Sequence, residues 1–201
     1  MNPIGGLLKF FRKRAAQRLE TEQINQRWLD GFDAFQKGRD LYFKRRIQEA
    51  LDCFDEAIDC GYVEDADVYA MRGGCLQSLN FHLDAIDDFD RSIALESENS
   101  LTFFDRSLSK GATRDFRGQV SDLQEAIRLA GIDNEYTRSH DAHARETGYK
   151  NSAHYYEMEM VRAKLDLDHH DRFENRYSSM QGYYKKTGNM QRRQNVRRTG
   201  E

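Results

Sequence analysis

Proline is nearly absent from this chain: Pro3 is the only one among 201 residues. Because proline interrupts helices and marks turns, its scarcity favours helices joined by short turns over a β fold with proline-containing turns. No stretch approaches 18 consecutive apolar residues, so the sequence predicts no membrane-spanning helix. The length corresponds to one domain, with or without appendages, that is large enough to bury a core.

Cysteine is also scarce. Cys53, Cys60 and Cys75 are odd in number and form no C-x-x-C pair, which argues against a disulfide framework or a zinc knuckle and favours a reducing compartment. The first residues run from apolar to basic, the reverse of the order in a secretory signal. We therefore expect a cytoplasmic protein.

Signatures of catalysis are missing as well. The sequence contains no P-loop, G-x-G-x-x-G, G-x-S-x-G or Cys–His signature, so we expect neither enzymatic activity nor a cofactor. His140 and His143 are spaced to share a helix face and could hold a metal with Glu146 or His154. No recognised ligand motif frames them, and histidines on a polar helix are usually solvated, so we predict no metal site.

The net charge of −3 is unevenly distributed. Residues 1–20 carry +4 and residues 172–201 carry +6, which leaves −13 on residues 21–171. Because the bulk of the chain is acidic, only the basic C-terminal tail is a candidate for contact with nucleic acid.

An internal repeat organises the acidic part. Residues 49–58, 84–93 and 118–127 align with one another, and the spacing between equivalent positions is 35 residues and then 34. Within each segment apolar residues recur every three or four positions, the period of an amphipathic helix. A second helical stretch, with a small residue in its middle, precedes each segment. The unit is therefore helix–turn–helix, about 34 residues long.

This pattern resembles the tetratricopeptide repeat (TPR), in which small residues let paired helices approach and an aromatic ring fills the gap to the next unit. The resemblance is clear over residues 31–133 and weaker over 134–167, and the family's closing proline is absent. It implies an all-α, TPR-type solenoid of three to four repeats, with N-terminal amphipathic and C-terminal capping helices. The implied repeat-packing residues are Gly38, Ala50, Phe54, Ala57, Gly73, Ala85, Phe89 and Ala126.

The expected segments are a basic amphipathic helix over residues 1–27, the array over 28–167, a capping helix over 168–186 and a basic tail without order over 187–201. The units of the array span about 31–65, 66–99, 100–133 and, weakly, 134–167. The N-terminal helix is predicted to pack as a cap on the first repeat, although a basic amphipathic helix can also lie on an anionic membrane or a partner. Its candidate membrane or partner face comprises Leu7, Leu8, Phe11, Arg12 and Lys13.

TPR arrays hold a partner peptide or helix in a concave groove lined by the first helix of each repeat. The resemblance therefore implies a non-catalytic adaptor or scaffold that binds a protein segment. Three alternatives stay open: a peripheral membrane protein, a secretion-type chaperone and a subunit of a nucleoprotein assembly. The same groove positions could also pack against the N-terminal segment. The groove candidates are Phe35, Arg39, Tyr42, Asp67, Gln77, Phe104 and Leu108.

One TPR subclass clamps the C-terminal carboxylate tail of heat-shock chaperones with lysine, asparagine and arginine side chains. At none of the corresponding positions does this chain carry the residue that the subclass requires there, and an aspartate at one of them would repel a carboxylate. We therefore predict that such a tail does not bind. The corresponding positions are Phe35, Arg39, Met71, Leu101 and Asp105.

Overall fold

The structure is a computed structural model that describes the backbone of residues 3–132 and 135–199, and most side chains between Arg14 and Gln181. Eight α-helices and no strand occur within these ranges. The helices are α1 (Pro3–Phe43), α2 (Ile47–Asp59), α3 (Ala66–Ser78), α4 (His82–Leu95), α5 (Ser100–Ala112), α6 (Phe116–Ala130), α7 (Glu135–Glu146) and α8 (Ser152–Thr199). None of the described helices is both long and apolar enough to cross a membrane.

The helices pack as successive pairs: the second half of α1 with α2, α3 with α4, and α5 with α6. The second helix of each pair also contacts the first helix of the next, from α2 to α3 and from α4 to α5. The first helices touch one another in order, α1 to α3 to α5. The result is a two-layer solenoid in which the first helices form one layer.

Small residues set the separation within each pair. A Cβ atom at Gly38 would lie 2.8 Å from the ring of Phe54, and one at Gly73 would lie 2.9 Å from the ring of Phe89. Both rings are fully buried. In the third pair Ser107 and Leu123, 16 residues apart like the glycines and rings above, are also fully buried. The other repeat-packing positions, all without exposed surface, are Ala50, Ala57, Ala85 and Ala126.

The turns inside the pairs repeat as well. Arg45, Asn80 and Arg114 adopt φ values of 61°, 65° and 66°. The backbone N–H of the following residue donates each time to a carbonyl five residues back, at 2.8–3.0 Å. This hydrogen bond is typical of the Schellman motif at the end of a helix, in which glycine normally occupies the left-handed position. Non-glycine residues therefore hold a left-handed conformation at three equivalent turns.

Two arginine clamps join neighbouring pairs. In the first clamp, Arg72 donates from Nε and Nη2 to the Asp88 carboxylate, both at 2.7 Å, and from Nη1 to Asp55 at 2.8 Å. The acceptor Asp88 is 2% exposed. The charges at these positions bind α3 to the second helices of its own pair and of the preceding pair, because Asp88 lies in α4 and Asp55 in α2.

The second clamp repeats this arrangement 34 residues later. Arg106 donates to Asp122 at 2.8 and 2.7 Å and to Asp90 at 2.5 Å. It has one additional member, since Lys110 Nζ lies 2.8 Å from Asp122. The position equivalent to Lys110 in the preceding pair is Leu76.

The N-terminal region differs from the predicted boundaries. The expected helix over 1–27 and the first helix of the array are one continuous helix, α1. Its junction with the array is aromatic: Trp28 stacks on Phe32 at 5.9 Å, and both rings contact Tyr62. Upstream of this point Leu19 and Ile24 are 59% and 62% exposed, so they do not cap the first repeat. The side chains of Leu7, Leu8, Phe11, Arg12 and Lys13 lie outside the described residues.

The C-terminal region differs more strongly. The predicted second helix of a fourth unit, the capping helix over 168–186 and the tail expected to lack order are parts of one helix, α8, which reaches Thr199. Three large apolar or aromatic residues within the predicted capping helix, Phe173, Tyr177 and Met180, are about half exposed or more. Capping instead comes from the first half of α8.

The fourth unit is consequently irregular. The helix α8 packs extensively along α6, whereas α7 contacts α5 and α8. Tyr156 and Ala163 in α8 are buried, and Tyr156 stacks on Phe104 of α5 at 4.6 Å between ring centroids. The helix that follows α6 in the stack is therefore α8, and α7 lies beside the layer of first helices.

Candidate functional site

A cavity of about 560 Å³, partly open to solvent, lies between the irregular fourth unit and the rest of the solenoid. Its walls come from the end of α1, the start of α5, α7 and the start of α8. Two of these helices, α1 and α8, are separated by more than 100 residues in the chain. The cavity therefore depends on how the solenoid brings its first and last helices together.

The walls are rich in aromatic side chains. Tyr155 contacts the rings of Phe104 at 5.1 Å and Tyr149 at 4.7 Å, so its ring is held in place. On the opposite wall, Tyr42 and Phe43 meet edge to face at 5.9 Å. Phe43 is 72% exposed, although it lines the cavity. Because most of the Phe43 ring is exposed, a ligand can contact it without disturbing the packing of the core.

A carboxyl group faces these rings. Asp105 of α5 lines the cavity and is partly buried. Burial raises the pKa of its carboxyl group to about 7, because the charged form loses its hydration. Its main-chain carbonyl accepts a hydrogen bond of 2.7 Å from Gln77, which also donates to Ser109 at 2.9 Å. These bonds tie α5 to α3 and hold Asp105 in position.

The helix α7 contributes two histidines to the wall. Burial lowers the pKa of His140 to about 4, so its ring is neutral at physiological pH, whereas His143 is exposed. Asp141 accepts two hydrogen bonds from Ser152, from the backbone N–H at 2.9 Å and from the hydroxyl at 2.6 Å. This aspartate therefore fastens α7 to α8. In the described part of the chain, no group of three or more His, Cys, Asp and Glu side chains could hold a metal ion.

The structure separates the predicted groove residues into several groups. Tyr42 lines the cavity. Phe35 and Phe104 are each 4% exposed, and Phe35 lies between Phe54 and Tyr62 in the core. They are packing residues that no partner can reach, so the groove interpretation of both is wrong.

The remaining groove candidates lie outside the cavity lining. Arg39 and Asp67 are exposed, and Leu108 is partly buried against the core around Phe104. Gln77 is partly buried and both its hydrogen bonds go to α5, as described above. Of the other lining residues, the sequence did not single out Tyr155, placed Phe43 in an apolar wall of the first groove, and suggested only a metal role for His140 and His143. Leu101 and Asp105 served only to exclude a chaperone tail. The sequence aligns the start of α8 with the second helix of a repeat. It therefore does not indicate that α8, and not α7, packs next to α6.

No family model matches the sequence, and no curated protein does either. Solved structures are similar to it. PcrH, in complex with the chaperone binding region of PopD, has a TM-score of 0.55 and 16% identity, with 66% of this chain and 90% of that chain covered. The TPR2B domain of yeast Sti1, in a complex with pHsp70, has a TM-score of 0.53 and 18% identity, with coverage of 68% and 98%. The Arabidopsis OM64 TPR domain has a TM-score of 0.50 and 17% identity, and the match covers 60% of this chain and 98% of that domain. The chain therefore has the fold of a tetratricopeptide-repeat solenoid.

Proposed function

We propose that this protein is a non-catalytic interaction module that binds a segment of a partner protein in the cavity between α1, α5, α7 and α8. The observation that carries the proposal is the cavity itself. Its volume lies within the range of ligand sites, and aromatic groups such as Phe43 and Tyr155 line it beside a few polar groups. Such a mixture is typical of sites that bind apolar side chains and fix their orientation.

The similar structures support a peptide as the ligand. PcrH holds a region of PopD, and the second TPR of Spaghetti (RPAP3), with a TM-score of 0.51 to this chain, is bound to the HSP90 peptide SRMEEVD. Both are TPR folds that hold another protein's segment. By analogy we assign this chain the role of an adaptor or scaffold, active in the cytoplasm.

The chemistry of this cavity differs from a carboxylate clamp. Phe35 is in the core, and Asp105 places a carboxyl group where an acidic tail would need a cation. We therefore expect no binding of a labelled SRMEEVD peptide in a fluorescence titration. Saturation in the micromolar range would contradict this.

The cavity is tested by selecting ligands for it. A phage-displayed library of random 15-residue peptides is selected on the full chain, and enriched peptides are synthesised and measured by fluorescence anisotropy. We expect Phe43→Ala to weaken binding by about tenfold or more, since exposed aromatic anchors dominate such interfaces.

The matched control is Phe81→Ala. Phe81 is also exposed, at 54%, but lies outside the cavity lining, so this variant should bind as the unmodified protein does. Failure to enrich any peptide, or equal losses in both variants, would refute the proposed site.

A second candidate rests on the exposed apolar residues of α1. Leu19 and Ile24 are exposed close to Arg14 and Arg18, a combination that suits attachment to an anionic surface. Flotation with phosphatidylserine vesicles tests this candidate. Equal flotation after deletion of residues 1–20, or none with the full chain, would exclude it.

A further inference from the structure

The cavity contains an acidic group without a counter-charge. Among the described side chains, none forms an ion pair with the Asp105 carboxylate. Burial is the cause of its raised pKa. Of the other acidic groups near the cavity, Asp141 is engaged by Ser152, and Glu159, whose charge acts on Tyr155, is engaged by Arg162. Asp105 is therefore the carboxyl group that a ligand in the cavity meets.

Aromatic rings surround this carboxyl group on two sides. Burial, and next the charge of Asp105, raise the pKa of Tyr42 on α1. The same charge contributes, after burial and nearer groups, to the raised pKa of Tyr155 and of Tyr156 on α8. The carboxylate thus lies within electrostatic range of three phenol rings from two helices. A ligand that reaches it must pass along aromatic surface.

The positive and titratable groups around the cavity do not neutralise it. Arg45, in the turn after α1, also lines the cavity and acts on Tyr42, but among the described ion pairs it forms none with Asp105. His140 on α7 is neutral because burial lowers its pKa to about 4, and His143 on the same helix is exposed. The site therefore favours an entering cation, since a partly buried carboxylate without a counter-charge is costly and a partner charge recovers that cost.

We propose that the partner segment inserts a lysine or arginine side chain into this cavity, with its cation on Asp105 and its methylene stem against Tyr155 and Phe43. Long basic side chains combine an apolar stem with a charged end, which matches a cavity with aromatic walls and a carboxylate. This assignment rests on the proposed function and names the chemistry of the partner. It also accounts for a carboxyl group kept in an unfavourable position.

The test uses the peptides selected on the full chain. We expect enriched sequences to share one basic position, and replacement of that lysine by norleucine, which keeps the stem and removes the charge, to weaken binding 10- to 100-fold. In Asp105→Asn, the lysine and norleucine peptides should bind with similar affinity, so that the double-mutant cycle assigns the coupling to this pair.

The pH dependence provides an independent readout. Only ionised Asp105 attracts the cation, so the affinity should level off above pH 7 and fall about tenfold per pH unit below it, until the 10- to 100-fold contribution of the charge is lost. The slope should disappear in Asp105→Asn and persist in His143→Gln. A slope that follows His143 instead, or a norleucine peptide that binds the unmodified protein as tightly as the lysine peptide, would overturn the proposal. If such peptides still depend on Phe43, the proposed function stands without it; if no peptide is selected, the function itself fails.

Discussion

Replacement of Arg72 by methionine should destabilise the protein more than the same replacement of Arg106. Arg72 supplies both hydrogen bonds to Asp88 in the first clamp, and Asp88 is 2% exposed. Arg72→Met keeps the apolar stem but leaves this carboxylate buried without a counter-charge. The variant therefore isolates the loss of the ion pair from the loss of packing.

The magnitude follows from the cost of a buried unpaired charge. Removal of one partner from a buried ion pair destabilises proteins by about 3–5 kcal/mol. For a chain of this length each kcal/mol corresponds to about 2–4 °C in Tm. Arg72→Met should therefore lower Tm by roughly 10 °C. The corresponding loss in free energy is a large part of the stability of a typical domain.

Arg106→Met is the matched comparison. Its hydrogen bonds to Asp122 repeat those of Arg72 to Asp88, but Lys110 remains 2.8 Å from Asp122 after the substitution. Because one cation stays in place, we expect about half the loss. In the variant Arg106→Met with Lys110→Leu, which reproduces the environment of the first clamp, the loss should approach that of Arg72→Met.

Thermal unfolding followed by circular dichroism measures all three variants. The further variant Arg72→Met with Asp88→Leu should recover much of the lost stability, since an apolar pair of similar volume is often no worse than a buried ion pair. Equal losses in Arg72→Met and Arg106→Met, or a change below about 0.5 kcal/mol in Arg72→Met, would refute this account of the clamps.

Other consequences can be measured in the same way. Burial raises the pKa of Asp105 in the folded protein to about 7, above its ordinary value of 3.8. Its contribution to stability is therefore present below pH 4 and lost as the pH rises through 7. Asp105→Asn should be more stable than the unmodified protein by about 2 kcal/mol at pH 8 and equal to it at pH 3.5. No gain at pH 8 would contradict the burial of this carboxyl group. Gly38→Ala places a Cβ 2.8 Å from the fully buried ring of Phe54 and should cost about 1–3 kcal/mol in urea unfolding, whereas Gly74→Ala meets only the end of a tyrosine side chain at 3.0 Å and should cost less. Arg114→Gly, at φ 66°, should stabilise by about 1 kcal/mol because glycine adopts this conformation without strain; a loss of stability would indicate that the arginine side chain contributes more than its backbone costs.

The predicted all-helical repeat fold is confirmed, because it depends on contacts between residues that are close together in the chain. Gly38 and Phe54 lie 16 residues apart in one helical hairpin, and the same spacing recurs at Gly73 and Phe89. Within a hairpin the helical period decides which residues face each other. The all-helical repeat architecture could therefore be predicted without any knowledge of distant contacts.

The assignment of Phe35 and Phe104 to the groove failed for a physical reason. A first helix in a solenoid has neighbours on several sides. The sequence pattern shows that a residue on it is apolar, but not whether that residue faces the core or the concave surface. In the structure Phe35 packs between Phe54 and Tyr62, and Phe104 packs on Tyr156. Only the tertiary arrangement distinguishes the two sides.

Composition also misjudged the C-terminal segment. Residues 187–199 contain few apolar groups to bury, so no order was expected, but they continue α8. Its glutamine, arginine and methionine residues are good helix formers, and the segment extends a helix already nucleated by the packed residues around Tyr156 and Ala163. A helix that has already formed can extend through its own backbone hydrogen bonds. The lack of apolar residues to bury therefore does not exclude a helix over this segment.

The sequence by itself determined the paired helices, their period of about 34 residues and the small residues at their contacts, because these depend on interactions within one or two neighbouring units. The tertiary structure alone decided that α8 follows α6 in the stack and that α7 stands aside. That choice places Asp105 of α5 between Tyr42 of α1 and Tyr155 of α8. No local period relates residues so far apart in the chain, so the cavity and its carboxyl group exist only once the solenoid has folded.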